Sequence, residues 1–114
     1  MTIESYSFGR MVIGGVEYTT DLIIYPDGRV RDAWWRCAGH RLSFRDIAEL
    51  TAADPEVVVA GTGASGMMVA DTHVEEQLRD HGIEFRAVPT AEAVRLFNTM
   101  SASRRVGACF HLTC

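Results

Sequence analysis

The amino-acid sequence predicts an α/β fold: a single compact domain in three layers that spans residues 1–114. In this arrangement a mixed central sheet carries helices on one face, and N-terminal β-hairpins pack on the other face or at an edge. Two observations support this class. Residues 1–36 contain short apolar runs separated by turn residues, whereas residues 37–114 alternate between helical and strand patterns. A chain of 114 residues, 47% of them hydrophobic, is also long enough to bury a proper core.

Strands separated by tight turns account for the N-terminal part. The predicted strands cover residues 11–13, 16–18, 22–25 and 29–35. Gly14 and Gly15 join the first two strands as a hairpin, since paired glycines supply the positive φ of a two-residue turn. The sequence Pro26-Asp27-Gly28 turns the chain before the last of these strands. This part is therefore expected to form β-hairpins.

Three helices alternate with three strands in the remainder of the chain. The predicted N-caps are Ser43, Thr72 and Thr90, and Thr72 forms a capping-box pattern with Glu75. The intervening strands are predicted at residues 57–60, 83–88 and 106–112. Helices that join strands imply parallel pairing with right-handed crossovers. The central sheet is therefore expected to be mixed.

Composition and charge exclude several classes of partner and site. The net charge is −4 and the basic residues are scattered, so neither nucleic acid nor a membrane surface is an expected partner. The cysteines Cys37, Cys109 and Cys114 are too few for a disulfide framework, which favours reduced thiols in a cytosol. The N-terminal segment has no apolar signal core, and no apolar run is long enough to span a bilayer. We therefore expect a cytoplasmic protein without a targeting segment.

A glycine-rich loop follows the apolar run at residues 57–60. The sequence from Gly61 to Gly66 matches G-x-G-x-x-G, and Glu84 lies near the position of the ribose acid in a dinucleotide site. In such a site the helix begins inside the glycine motif, whereas here the next predicted cap is Thr72. We therefore favour a sharp loop turn and predict no cofactor. The alternative is a small-ligand crevice at this strand end, with these candidate binding residues: Gly61, Thr62, Gly63, Ser65 and Gly66.

Residues of catalytic type do not form a complete set. Met67 stands at the second glycine of the G-x-S-x-G motif, so Ser65 is not expected to be a hydrolase nucleophile. Cys37 and His40 could form a thiol–imidazole pair, but a backbone-bonded histidine beside a half-buried cysteine is the favoured interpretation. His40 is still the first candidate among the titratable groups, because it is expected in a loop. No catalytic residue is assigned.

Strand periodicity determines which side chains of the C-terminal strand and of the tryptophan pair share a face. Cys109 and His111 are predicted to share one face of the strand, while Cys114 falls on the other, so no metal site is predicted. Trp34 and Trp35 are adjacent, so on a strand they point to opposite faces and one of them belongs to the core. An exposed ring would be a contact for a partner, and Trp35 joins the candidate binding residues.

Several short motifs occur in order along nearly the whole chain. They are Tyr6-x-Phe8-Gly9, Gly28, Trp35, Gly39-His40, Gly61-Thr62-Gly63, Thr90-x-x-Ala93-x-x-x-Phe97-Asn98 and Arg105-Val106-x-Ala108. With these motifs the chain resembles the small uncharacterised domain family that includes the adipogenesis-associated Mth-type domain protein. The mitochondrial respiratory complex I assembly factor three is a distant relative. The resemblance implies a three-layer α/β domain with no established enzymatic activity, and the assembly factor acts by binding proteins.

Two functional hypotheses follow, with a third that the sequence does not separate from the first. The favoured one is a non-enzymatic binding or assembly module with a protein partner, resembling the complex I assembly factors. The alternative is a small-molecule binder or enzyme whose crevice is formed by the loop at residues 61–66 and His40. It predicts that His40 and Gly63 share a pocket. The third is a helper subunit that only forms oligomers, and the oligomeric state is left open.

Overall fold

The computed structural model describes residues 2–114, and an antiparallel sheet of three strands comes first along the chain. Its strands are β1 (Ile3–Ser7), β2 (Arg10–Ile13) and β3 (Val16–Tyr18). Gly14 and Gly15 join β2 to β3 with φ of 57° and 79°, values that glycine adopts without steric cost. The hairpin predicted around the two glycines is therefore confirmed. We call this the N-terminal sheet.

A mixed sheet of five strands forms the centre of the domain. Its strands are β4 (Leu22–Ile24), β5 (Val30–Arg31), β7 (Val57–Thr62), β9 (Glu84–Val88) and β10 (Val106–His111), and a separate pair consists of β6 (Arg41–Leu42) and β8 (Val69–Ala70). The spatial order is β5-β4-β10-β7-β9. Strand β7 is parallel to β9 and β10, and β4 is antiparallel to β10. Every residue of β7 and β10 is buried, as expected of strands covered on both faces.

Strand β5 is shorter than the strand predicted at residues 29–35. Ala33 adopts a positive φ of 51°, which ends the extended pairing. The turned backbone allows the Trp34 N–H to donate to the Asp21 carbonyl at 3.0 Å. The Trp34 side chain enters the core, whereas Trp35 is 72% exposed. The tryptophan pair thus divides between core and surface, as predicted.

Helical segments connect the strands of the central sheet. A 3₁₀ turn, Phe44–Ile47, runs into α1 (Ala48–Ala52), and α2 (Val74–Asp80) and α3 (Thr90–Met100) follow. The helices agree with the three that the sequence pattern predicted, although α1 is short. Within the part of the chain that the structure describes, no helix combines the length and apolar character needed to cross a membrane.

Two of the predicted helix caps are wrong. The N-cap of α2 is the residue after Thr72 and makes no side-chain cap bond, and the N-cap of α3 is Pro89 rather than Thr90. The Thr90 hydroxyl is buried, accepts from the Gly63 N–H at 2.8 Å and donates to the His111 carbonyl at 2.7 Å. Hydrogen bonds to distant backbone groups therefore occupy a side chain that the local pattern assigned to capping.

Hydrophobic clusters cover both faces of the central sheet. Alternate residues of β7 divide between them, with Val57 and Val59 on one face and Val58 and Ala60 on the other. The first face packs against α3 and the N-terminal sheet, and the second packs against α1, α2 and Trp34. The mixed α/β domain in three layers is therefore confirmed.

The distribution of the helices differs from the expectation that all of them lie on one face. Helix α3 shares its face with the N-terminal sheet, where the Asn98 side-chain amide accepts from the Ile3 N–H at 2.8 Å and donates to the Ile3 carbonyl at 3.0 Å. The strand order explains this placement. The connection from β7 to β9 leads to the sheet edge, and the connection from β9 to β10 returns past β7. Because crossovers are right-handed, reversing direction moves the helix to the opposite face.

Asp46 holds the start of the 3₁₀ turn through three hydrogen bonds. Its Oδ2 accepts from the N–H and the hydroxyl of Ser43, both at 2.8 Å, and its Oδ1 accepts from the Cys37 N–H at 3.1 Å. Partial burial opposes ionisation, but these donors outweigh it and lower the pKa of Asp46 below its ordinary value. A lowered folded-state pKa means that the stabilisation is complete above the unfolded pKa and is lost as the pH falls through the folded pKa.

Asp46→Asn is therefore expected to lower the free energy of unfolding by about 1 kcal/mol at neutral pH. The difference from the wild type should begin to shrink below about pH 4, the ordinary pKa of aspartate, and should vanish as the pH falls through the lower folded-state pKa of Asp46. Urea denaturation at neutral pH and at about pH 3 measures both values. Asp32→Asn, at an exposed position, is the control and should change little. An equal loss from Asp46→Asn at both pH values would contradict this role.

Candidate functional site

The antiparallel pairing of β4 with β10 brings together residues that are far apart in sequence. Phe110 pairs with Leu22, so Asp21, which precedes β4, lies beside His111 at the end of β10. The side chains of Asp21 and His111 are only 10% and 7% exposed. The site therefore lies at the carboxyl end of a strand with a parallel neighbour, a position where α/β sheets bind ligands.

Asp21 is the centre of a buried polar cluster. Its Oδ2 accepts a hydrogen bond from His111 Nδ1 at 2.7 Å and lies 2.9 Å from Nη1 of Arg36. Its Oδ1 accepts from the Leu112 N–H at 2.8 Å. The Arg36 side chain is only 5% exposed, so Asp21 and Arg36 form a buried ion pair. Each charge compensates the other, and neither is easily lost alone.

The remaining contacts of Arg36 hold its side chain in place. The Nε–H donates to the Gly39 carbonyl at 2.6 Å. The guanidinium carbon lies over the Trp34 ring, 4.9 Å from the ring centroid. Stacking on an aromatic face and pairing with a carboxylate are both typical of buried arginine. Arg36 therefore neutralises the charge of Asp21 from a fixed position.

The proton of the His111 ring is assigned to Nδ1. This nitrogen lies 2.7 Å from a carboxylate oxygen of Asp21, which has no proton to give, whereas Nη2 of Arg36 lies farther away at 3.2 Å. In the neutral imidazole, Nε2 is then an acceptor. Nε2 is buried, and no donor in residues 2–114 reaches it. Nη1 of Arg36 is the other buried side-chain atom of the cluster without a hydrogen bond in residues 2–114, although it lies 2.9 Å from Oδ2 of Asp21. His111 Nε2 has neither a hydrogen bond nor an ion-pair partner.

A pocket of about 320 Å³ opens beside the polar cluster, and we call it the histidine pocket. Besides the cluster, its wall includes Thr19, Thr20, Trp35, Gly39, His40 and Thr113. The His40 ring contacts the His111 ring at a centroid distance of 5.4 Å and an interplanar angle of 67°. The pocket volume lies at the lower end of the range for small-ligand sites, about 300–1,000 Å³.

The glycine-rich loop is tied into the fold through its backbone. Three of its N–H groups and that of the next residue, Met67, donate to protein acceptors, in the pairs Gly63 to Thr90 Oγ1, Ala64 to the Thr113 carbonyl, Gly66 to the Gly63 carbonyl and Met67 to the Cys114 carbonyl. A phosphate cradle requires such N–H groups to point at the ligand. These groups instead bond to Thr90, to the loop itself and to the carbonyls of residues 113 and 114, so the loop is not arranged as a cradle.

Close packing requires two glycines of this loop. A Cβ at Gly61 would lie 2.6 Å from Cδ1 of Phe110, and a Cβ at Gly63 would lie 2.2 Å from the carbonyl carbon of Cys114. Gly63 also has a φ of +108°, which other residues adopt only with strain. The G-x-G pattern therefore reflects the approach of β10 and of the segment after it.

The candidate residues named from the sequence fall into two groups. His40 and Trp35 line the histidine pocket. The five candidates of the loop, Gly61, Thr62, Gly63, Ser65 and Gly66, do not belong to its wall. Gly63 packs against the His111 ring, since a Cβ there would be 2.9 Å from Cδ2 of His111. Gly63 is thus in contact with a residue of the pocket wall without belonging to the wall itself.

Sequence reasoning missed Asp21 and Arg36. The only available signal was the polar pair Thr20-Asp21 directly before an entirely apolar strand, and the arginine after two tryptophans. Carboxylates before strands are common turn residues, so the signal is weak. The pairing partner, His111, was placed on the correct face of its strand, but nothing local connected it with Asp21.

Cys109 lies on the same face of β10 as His111, as the alternation predicted. Its thiol is buried in the core, and burial raises its pKa to about 12. The thiolate that nucleophilic or metal chemistry requires is therefore disfavoured. Over the described range 2–114, no three side chains of the His, Cys, Asp or Glu type are grouped so that they could hold a metal ion.

The fold is similar to that of several solved proteins. A conserved hypothetical protein from Pyrococcus horikoshii OT3 is 29% identical, with 100% of both chains covered and a TM-score of 0.88. A protein named MT938 is 26% identical over 99% of this chain and 98% of its own, with a TM-score of 0.83. A Bordetella pertussis protein with an Mth938-like domain is 20% identical over 97% of this chain and 85% of its own, with a TM-score of 0.65, which shows the fold alone.

The sequence profile of one protein family matches residues 3–111, and the family is described as protein of unknown function (DUF498/DUF598). The match includes β4 and β10, the two strands that build the polar cluster. Together with the Mth938-like neighbours, it confirms the uncharacterised Mth-type domain that the order of the motifs predicted. The chain belongs to the DUF498/DUF598 family of proteins of unknown function.

Proposed function

We propose that this domain is a non-enzymatic binding module that holds a protein partner on the surface around the carboxyl end of β10. We call this the carboxyl-end surface and define it by Phe8, Trp35, Met67 and Val69. These side chains are 65%, 72%, 52% and 61% exposed, and they are four of the five exposed large apolar side chains in residues 2–114. Aromatic residues and methionine are enriched at protein interfaces. Their concentration at one end of the sheet is the observation that carries the proposal.

Backbone hydrogen bonds support this grouping. Two bonds connect the surface to the segment after β10, from Gly9 to Leu112 and from Met67 to Cys114, at 2.8 and 2.9 Å. A third bond, from Val69 to His40 at 2.7 Å, connects it to the wall of the histidine pocket. Phe8 is next to Gly9 in the chain, and Trp35 lines the histidine pocket beside His40. The four apolar side chains therefore surround a single segment and its pocket.

The polar chemistry of this region favours binding over catalysis. Asp21 and Arg36 neutralise each other, and the loop N–H groups that could stabilise a developing anion donate to acceptors within the fold. Acyl and phosphoryl transfer depend on such free donors. The resemblance of the chain to a respiratory assembly factor, which acts by binding proteins, supports the same conclusion.

Trp35→Ala is expected to weaken the partner complex by about 30-fold, the loss typical of a central aromatic residue in an interface. The partner is first captured from the native cell with the tagged wild-type domain. It is then purified and titrated against the wild type, Trp35→Ala and Val16→Ala. Val16 is 51% exposed in the β2–β3 hairpin, outside the carboxyl-end surface, and serves as the matched control.

Three results would contradict this proposal. One is a captured protein that binds Trp35→Ala as tightly as the wild type. Another is an equal loss from Val16→Ala, which would indicate a different surface. The third is a wild type that forms a dimer in sedimentation experiments and loses the dimer in Trp35→Ala, which would make a second copy the occupant. Because Trp35 is exposed, the unfolding midpoint of the variant should stay unchanged, which excludes misfolding as the cause.

A second candidate function, the binding of a small molecule, is favoured by the histidine pocket. His40 and Trp35 lie on its wall, and Nε2 of His111 is a buried acceptor without a donor among residues 2–114. No residue of the glycine loop lines the pocket, so a ligand would contact His40, Trp35 and His111 rather than that loop. The two candidate functions use the same end of the sheet.

We assign the module to a reducing, cytoplasmic setting as part of this proposal. Cys37, Cys109 and Cys114 are all free, and Cys37 and Cys114 are exposed. Exposed unpaired thiols are typical of compartments in which glutathione and thioredoxin keep cysteine reduced. Thiol titration of the protein as isolated from its cell would report any modified cysteine.

A further inference from the structure

His111 Nε2 is the starting point for a chemical description of the ligand. The His111 side chain is 93% buried and forms part of the histidine pocket wall. Its Nδ1 is bonded to Asp21, but Nε2 has no donor among residues 2–114. Buried polar side-chain atoms without a partner are rare in native proteins, since each loses the hydrogen bonds that water would supply. An atom of this kind at a pocket points to a ligand that supplies the missing partner.

The cluster determines which partner fits. Because the Nδ1 proton is held by Asp21, Nε2 offers a lone pair and requires a donor. The charge of Asp21 is balanced by Arg36 at 2.9 Å. A charge on the ligand would therefore add little binding free energy, whereas its desolvation would oppose binding. The favoured partner is therefore neutral and carries an O–H or N–H group.

The other walls of the pocket favour a flat ring. The exposed indole of Trp35 lines one side, and the imidazole of His40 lies across from the His111 ring at 5.4 Å. Aromatic rings pack on one another in stacked or edge-to-face geometry, with a gain beyond the area that they bury. His40 belongs to a loop and is exposed, so a ring that enters the pocket can pack against it.

We propose that the histidine pocket takes a neutral aromatic ring that carries one hydrogen-bond donor, as in a phenol or an indole. The donor bonds to Nε2 of His111, and the ring packs between Trp35 and His40. This inference rests on the proposed function insofar as the same surface is the binding surface. The ring can belong to a free small molecule or to a tyrosine or tryptophan side chain of the protein partner.

The test compares p-cresol with 4-methylanisole, which has the same ring but no donor. Each compound is titrated into the full-length ¹⁵N-labelled protein, and the readouts are the His111 Nε2 resonance and the backbone amides of residues 35–40. p-Cresol should bind in the millimolar range, shift the Nε2 resonance, and bind about fivefold more tightly than 4-methylanisole. Trp35→Ala should weaken p-cresol binding severalfold. Its exposed position avoids the folding risk that a His111 variant carries.

Equal affinity for the two probes, an unchanged Nε2 resonance, or no saturable binding would overturn the inference. These results differ from a failure of the proposed function, which concerns whether Trp35→Ala releases the captured protein. Once p-cresol binding is established, competition identifies the source of the ring. Displacement of the protein partner by p-cresol assigns the ring to that partner, and binding without displacement assigns it to a free small molecule.

Discussion

Asp21→Ala is expected to lower the free energy of unfolding by about 3–5 kcal/mol. The substitution leaves the Arg36 guanidinium, only 5% exposed, without its carboxylate partner. It also removes the acceptor of the His111 Nδ1–H and of the Leu112 N–H. An uncompensated buried cation and two unpaired donors are among the few mechanisms that give losses of this size.

Urea denaturation of Asp21→Ala and of a double variant with Arg36→Met measures this effect. The double variant should lose less than the two single variants added together, since the methionine chain fills the space over Trp34 without a charge. Glu17→Ala is the matched control, because its ion pair with Arg10 is exposed and should contribute less than about 1 kcal/mol. A loss from Asp21→Ala no larger than that of the control would contradict the central role of Asp21.

Gly63→Ala is expected to lower the free energy of unfolding by about 3 kcal/mol. The new Cβ would strain a backbone at φ +108° and would lie 2.2 Å from the Cys114 carbonyl carbon. The segment at residues 112–114 would have to move away. It would then lose the hydrogen bonds that it accepts from Ala64 and Met67.

Gly82→Ala separates the two causes of this loss. Gly82 also has a positive φ, +75°, but a Cβ there would meet nothing within 4 Å. It should therefore lose only the backbone strain, about 1 kcal/mol. The measurement is the difference between the two variants in urea denaturation. Equal losses would mean that the segment at residues 112–114 moves aside without lowering the free energy of unfolding, and would contradict the packing role of Gly63.

Local patterns were sufficient to predict most of the framework. The glycine pair at 14–15 specified a hairpin, because only one turn geometry suits two residues with positive φ. The apolar runs at 57–60 and 106–112 predicted two strands, and burial on both faces was predicted for the first of them. The helix faces depended instead on strand order. The connection from β9 to β10 runs back past β7, so α3 lies on the opposite face from α1 and α2. No local sequence pattern indicates that reversal of direction.

The candidate site was less predictable, because its contacts join distant parts of the chain. His111 and Asp21 are 90 positions apart, and His111 and Arg36 are 75 apart. The glycine motif resembled a phosphate-binding loop because glycine suits two different situations. One is a loop whose free N–H groups face a phosphate, and the other is a loop against which another segment packs closely. The carbonyl groups of residues 113 and 114, which accept hydrogen bonds from this region, distinguish the packed loop from a phosphate-binding loop. His40 and Trp35 were within reach of sequence reasoning because loop position and exposure are local properties.

The position of β10 also has a consequence for biosynthesis. β10 is the last strand of the sheet along the chain, yet it lies between β4 and β7. During synthesis the pairs β5–β4 and β7–β9 therefore cannot join into one sheet until β10 has emerged from the ribosome. Contacts of such long sequence separation are associated with slow folding, and unpaired strand edges are exposed in the meantime. The nascent chain has the greatest need of chaperone protection in the interval between synthesis of β4 and release of β10.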